Sequence, residues 1–294
     1  MENTFRREDV DFYSNKTRCS AWLYLPGGGK KCPVIVMAHG LGGTRETRLP
    51  EYAERFAKAG FACFLFDYRN FGASGGNKRQ LINVRMQLED WENAIGYVKK
   101  DSRVDGKNLL LFGTSLSGGH VIWLSARRND VKAAVAQCPY TDTMATIKSV
   151  SPLYILKKAP FIIADLLSSI TGYHPVMLKL LTYKGENAIL ETDEETKKRF
   201  FKDVSFINEV PARTLLEFVK YSPGKYFGKL LNPVFVAACQ KDTLAPADKT
   251  IKLARRDKYA TYKNYDCGHF DIYLSPYFEE AINDYINFYN AILD

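Results

Sequence analysis

The 294-residue chain carries 41 lysines and arginines against 33 aspartates and glutamates, a formal net charge of +8, with 46% hydrophobic and 25% charged residues. That balance excludes a disordered or fibrous chain, and the length suits a large α/β protein able to bury a sizeable core. The basic residues are scattered, with no aromatic-interleaved stripe, so no nucleic-acid partner is expected; the excess positive charge would suit an acidic one.

The segment 1–9 is charged and has no apolar centre, unlike a secretory signal. No apolar run approaches spanning length; residues 61–66 form one of the longest, and it stops at Asp67. A cytoplasmic protein without membrane association is expected. The six cysteines include no C-x-x-C pair and no spacing for zinc. Cys63, Cys138 and Cys239 fall in or beside apolar strand-like runs, where cysteine packs as a small hydrophobe, so reduced thiols are expected. Neither a metal nor an organic cofactor is implied.

Taken in order, residues 21–25 read as a strand and 26–29 as a turn. Residues 33–38 are a continuous apolar run, as a strand buried on both faces should be. A helix follows with Leu49, Tyr52, Ala53 and Phe56 on one face, then a buried strand over 61–66. Leu81, Val84, Leu88, Trp91, Ile95 and Val98 recur at steps of three and four, the signature of an amphipathic helix. Further strands are expected over 108–112 and 131–137, with a helix from Leu116 between them.

After Pro139 the alternation stops, and it resumes with strands over 234–238 and 259–265 and a closing helix bearing Phe278, Ile282, Tyr285, Ile286 and Tyr289. Strands alternating with helices predict a mostly parallel sheet covered by helices. Residues 139–231, including a charged helix near 191–198, read as a helical cap inserted between two core segments, 1–138 and 232–294.

Gly113-Thr114-Ser115-Leu116-Ser117-Gly118-Gly119 follows a strand and opens a helix, the setting a nucleophile elbow requires. Ser117 stands where the motif usually has its second glycine, and it is still small. A serine nucleophile needs a base, and the base an orienting carboxylate. His269, in Gly268-His269, and Asp242, in Lys241-Asp242, follow in the order Ser, Asp, His, each just past a strand. Asp248, Asp266 and Asp271 are neighbours that compete with Asp242. His39-Gly40-Leu41-Gly42-Gly43 ends the 33–38 strand; the N–H groups of Leu41 and Leu116 would form an oxyanion hole. A dinucleotide fingerprint at Gly40-Leu41-Gly42 fails, because its third glycine is Arg45.

These motifs, together with Asp67-Tyr68-Arg69-Asn70-Phe71-Gly72-Ala73-Ser74-Gly75, resemble the α/β-hydrolase superfamily over nearly the whole chain. Gln87-Leu88-Glu89-Asp90-Trp91 and Gln137-Cys138-Pro139-Tyr140-Thr141-Asp142 resemble, within it, a branch of fungal polyketide transferases and thiohydrolases and their bacterial relatives, loosely similar to the Xaa-Pro dipeptidyl-peptidase-like group. The resemblance implies an α/β-hydrolase fold with a mostly parallel eight-stranded sheet. It also implies Ser115, Asp242 and His269 as the triad and a structural role for residues 67–75.

Such a triad works through an acyl-enzyme. The leading expectation is hydrolysis of a small-molecule ester or thioester with an apolar acyl group. Transfer of a polyketide or fatty acyl group to an alcohol is an alternative, with an acidic acyl carrier protein as a conceivable donor. A peptidase needs an anchor for a peptide amine that the sequence does not display, and a non-catalytic binding protein would be expected to have a broken triad. The apolar segments 153–156, 161–167 and 176–181 either line an acyl pocket or pack the cap on itself. A homodimer through the cap or an edge strand is compatible with the sequence.

Overall fold

The computed structural model describes residues 4–143, 152–183 and 188–294. The chain opens with β1 (Phe5–Ser14), β2 (Thr17–Pro26) and β3 (Pro33–Ala38), then α1 (Leu49–Lys58), β4 (Ala62–Phe66), α2 (Val84–Val98), β5 (Asp105–Thr114), α3 (Leu116–Ser125) and β6 (Ala133–Gln137). It continues with α4 (Pro152–Thr171), β7 (Met177–Tyr183), β8 (Ala188–Thr192), α5 (Glu194–Phe200), β9 (Glu209–Pro211) and α6 (Thr214–Lys220). It closes with β10 (Val234–Cys239), α7 (Ala247–Ala254), β11 (Ala260–Tyr265) and α8 (Tyr277–Leu293). No helix among the described residues is long and apolar enough to cross a membrane.

Eight strands form one sheet in the order β1-β2-β4-β3-β5-β6-β10-β11. β2 pairs antiparallel with both β1 and β4, and the remaining neighbours are parallel. This is the expected α/β architecture. Alternate side chains of the central strands enter two separate cores, as the pleat dictates. Val34, Val36, Leu109, Leu111, Ala134 and Val236 pack with α2, α3 and α7; Ile35, Met37, Leu110, Phe112, Val135 and Phe235 pack with α1 and α8. Burial on both faces is why these strands read as unbroken apolar runs.

Two elements differ from expectation. β1 does not register as apolar because it is an edge strand: Arg6, Arg7, Asp9 and Asp11 are exposed, and only Phe12 and Ser14 are buried. Charge on an edge blunts further pairing. The segment between β6 and β10 is not all helical, since β8-β7-β9 form a second, three-stranded sheet. Its strand β7 exposes Lys179 and buries Leu178, Leu180, Leu181 and Thr182. The charged helix accordingly starts at Glu194, after β8, with Asp193 as its cap accepting from Thr196 N–H.

Candidate active site

β3 and β5 are parallel neighbours, yet the chain leaves them for opposite sides of the sheet. Ligands of open α/β sheets gather at such a reversal, outside the carboxyl ends of the strands. Ser115 follows β5, Leu41 follows β3, Asp242 follows β10 and His269 follows β11, so all four loops meet at that edge.

Ser115 holds φ 56° and ψ −119°, the reversal that turns a strand into a helix within one residue. Glycine is required beside it: a Cβ on Gly113 would lie 2.2 Å from Ser117 O, and one on Gly40 2.9 Å from Ser115 Cβ. Ser117, at the unusual second position of the motif, is buried and its Oγ lies 2.5 Å from Tyr68 Oη, which in turn accepts from Trp91 Nε1 at 2.8 Å. The extra hydroxyl is thereby satisfied in the core, as a buried polar group must be.

Asp242 Oδ2 stands 2.6 Å from His269 Nδ1, and His269 Nε2 stands 3.0 Å from Ser115 Oγ. Asp242 Oδ1 accepts from the N–H groups of Leu244 and Ala245, both at 2.8 Å, which fixes the carboxylate. The competing acids are committed elsewhere or turned away: Asp271 accepts from Gly268 N–H, Asp266 pairs with Lys241, and Asp248 is exposed on α7. Burial pushes the His269 imidazole down, but the charge of Asp242, helped by Cys138 and by hydrogen bonds to both, holds it well above the ordinary histidine range.

The other histidines are not assembled with Ser115 as bases. His39 is buried, with Nδ1 donating to Gly40 O at 2.9 Å, and burial lowers it to about 4. His120 bridges Tyr221 Oη at 2.8 Å and Gln87 Oε1 at 3.0 Å, and burial lowers it to about 3. His174 is exposed. Residues 67–75 are structural: buried Asp67 accepts from the N–H groups of Arg45 and Ala73.

Leu41 and Leu116 both line a cavity of about 250 Å³ with Ser115 and His269. Neither backbone N–H is taken by a backbone carbonyl among the described residues. Ile162, Leu190 and Phe218 supply apolar wall, and Lys158 stands among them. A smaller cavity of about 50 Å³, also bordered by Ser115 and His269, is lined by Phe200, Phe206 and Phe270. Of the apolar segments expected to line a pocket, Ile162, Leu180 and Leu181 do so; the side chains of residues 152–155 lie outside the described set.

Three neighbours of the site were not anticipated. Cys138 Sγ lies 4.0 Å from His269 Nε2, and Tyr273 Oη bonds Thr114 Oγ1 next to Ser115. Burial opposes ionisation of Cys138, but the hydrogen bond with Cys239 and the charge of His269 outweigh it and draw the thiol downward. The available signal was that Cys138 directly follows β6, the strand beside β5. Lys158 is the third, visible in sequence only as a lysine within an apolar stretch.

A doubly covered, mostly parallel sheet with a serine on a strained strand-to-helix turn, backed by histidine and aspartate, defines an α/β-hydrolase. The family model described as Serine aminopeptidase, S33 (Hydrolase_4) matches residues 29–269, and the chain belongs to this α/β-hydrolase family. The quorum-quenching protein AidA of Acinetobacter baumannii (strain MDR-ZJ06) is 38% identical over 288 residues, 97% of this chain and 95% of its own length. The polyketide transferase ATR5 of Stachybotrys chlorohalonatus (strain IBT 40285) is 28% identical over 84% of each chain. The crystal structure of the α/β hydrolase GrgF from Penicillium sp. sh18 shares the fold, with a TM-score of 0.84 at 20% identity over 97% of this chain and 98% of its own. The resemblance to fungal polyketide transferases and thiohydrolases and to bacterial relatives therefore holds.

Proposed function

We propose that this protein is a serine hydrolase that cleaves an ester or thioester of an apolar acyl group through an acyl-enzyme on Ser115. The observation that carries this reading is the continuous hydrogen-bonded line from Ser115 through His269 to Asp242, opening onto an apolar cavity. Ser115 Oγ attacks the carbonyl while His269 Nε2 takes its proton. Asp242, anchored by two backbone N–H groups, keeps the Nδ1 proton in position and stabilises the imidazolium. The N–H groups of Leu41 and Leu116 receive the oxyanion, and the positive end of α3 adds to them. The alcohol or thiol leaves with the proton from His269; water, deprotonated by the same imidazole, then releases the acid. Residues 139–231 act as a cap, α4, β8 and α6 lending the cavity its apolar side.

The aminopeptidase in the family description finds less support. No carboxylate lines either cavity that Ser115 shares, among the described residues, so an anchor for a peptide ammonium is lacking there. Thiohydrolases and polyketide transferases among the relatives suit an acyl-enzyme instead. The test is hydrolysis of p-nitrophenyl esters of increasing chain length by wild type and Ser115→Ala. Activity that favours medium or long chains and disappears in the variant supports the reading. Equal rates in both proteins refute it. An added alcohol that diverts the acyl group from water marks a transferase using the same intermediate.

A further inference from the structure

α4 is anchored on one side and bare on the other. On its inner side Asp165 is fully buried and accepts from the N–H groups of Val176 and Arg213 at 3.0 and 2.9 Å, and Ile162 lines the cavity beside Ser115. Leu156, Pro160, Ile163, Leu167 and Ile170 lie on the outer side and are exposed, Ile170 by 81%. Steps of four and three set these residues in one stripe along the helix. A surface helix ordinarily turns such a stripe into the core; here the anchored side holds it outward.

The stripe is large enough for a specific contact. A helix of 20 residues is about 30 Å long and, side chains included, about 10–12 Å across, so its outer half offers roughly 500 Å². The largest apolar patch of a typical monomer is about 300–600 Å² and often has a use. Two such halves together bury about 1,000 Å², the size at which a specific protein contact begins.

The stripe is also its own complement. It reads almost alike from either end, since Leu156 and Ile170 are each seven residues from Ile163. A twofold axis at Ile163 sets two such helices antiparallel, with Leu156 of one copy against Ile170 of the other, the self-matching that an isologous contact requires. Charge points the same way. The charged residues of α4 are Lys157, Lys158 and Asp165, and of these only Lys157 is exposed. A helix that lies on an anionic membrane carries lysines and arginines along its polar face, and an acidic or basic protein partner would be met by charge around the stripe. α4 offers neither.

We propose that two copies of this chain associate through the outer stripe of α4, the helices antiparallel about a twofold axis at Ile163. α4 is then held from both sides, by the cap within and by the second copy without. The association does not depend on the reaction assigned to Ser115.

The test is sedimentation of the full chain from low to high micromolar concentration, with circular dichroism to confirm folding. Wild type should reach twice the 33.4 kDa of one chain. Ile163→Glu sets two like charges face to face across the axis and should weaken the dimer at least about tenfold. Mixing it with Ile163→Lys should restore a mixed dimer, since the two positions meet only in this arrangement. Ile170→Glu, at the most exposed position, gives the same reading should Ile163→Glu not fold. A wild type that stays monomeric throughout overturns the proposal, and flotation of that monomer with anionic vesicles would assign the stripe to a membrane instead. A dimer undiminished by the glutamate variants overturns it in favour of another surface. Dissociation without rescue by Ile163→Lys overturns the twofold crossing at Ile163.

Discussion

Ser115 sits at φ 56° and ψ −119°, a combination that glycine adopts freely and other residues only under strain. A side chain held there costs of order 1–3 kcal/mol. Glycine's greater freedom in the unfolded chain offsets part of this, by about 0.5–1 kcal/mol. Ser115→Ala and Ser115→Gly both remove the hydroxyl and its contact with His269, so their difference isolates the backbone. The glycine variant should therefore be more stable than the alanine variant by roughly 0.5–2 kcal/mol. For a chain of this length that is a rise in Tm of about 1–4 °C. Urea denaturation read by tryptophan fluorescence, with thermal melts beside it, measures the difference directly. A glycine variant less stable than the alanine one would refute the claim that the turn stores strain for the site.

Further outcomes follow from the same contacts. Asp242→Asn should lower kcat by about three to four orders of magnitude, because the amide no longer holds the Nδ1 proton in place. The charge of Asp242 raises His269, so kcat/KM should climb with pH to a midpoint above the ordinary histidine value of about 6.5, and that midpoint should fall in Asp242→Asn. The raised imidazole also stabilises the fold; its share is full below about pH 6.5 and is lost as pH rises through the folded-state value, which wild type and His269→Gln melts across pH will show. Arg69→Ala should cost roughly 3–5 kcal/mol in urea unfolding, because Asp90 is only 1% exposed and would be left as a buried charge without the Arg69 Nε contact at 2.5 Å; a loss below about 1 kcal/mol would contradict it. His39 and His120, lowered to about 4 and about 3, are neutral in the fold but charge in the unfolded chain below about 6.5. Each should therefore destabilise the protein by roughly 1.4 kcal/mol per pH unit as pH falls from there, and His120→Gln should flatten the acid limb of the stability curve.

The central strands were legible because both their faces are buried, so hydrophobicity alone marks them: β3 is the expected 33–38 run, and β4, β5, β6 and β10 lie over their expected runs with small shifts at the ends, as does the edge strand β11, in which only Tyr265 is buried. The elbow was legible because a single strained residue demands small neighbours in fixed positions around it. β1 was not, since its pairing is an edge property that charged side chains conceal. The second sheet was hidden by its brevity: β9 has three residues, Glu209–Pro211, too few for a periodic signal. Asp242 could be named but not separated from Asp248, Asp266 and Asp271, because the choice depends on which loop carboxylate meets a histidine 27 residues away. Lys158 was beyond reach for a sharper reason. The hydrophobic pattern of α4 points its apolar stripe inward, while the structure leaves Leu156, Ile163, Leu167 and Ile170 exposed and turns a lysine to the cavity.

The most direct test of the account is to catch the acyl-enzyme. The protein would be mixed with a slowly turned-over octanoyl ester, quenched in acid during turnover, digested and read by mass spectrometry. The account predicts the added acyl mass on the peptide carrying Ser115, and its absence in Ser115→Ala. Cys138 is the rival nucleophile, its sulfur 4.0 Å from the same His269 Nε2. Acyl mass on Cys138, or steady turnover with no acylated serine and undiminished by Ser115→Ala, would contradict the assignment of Ser115.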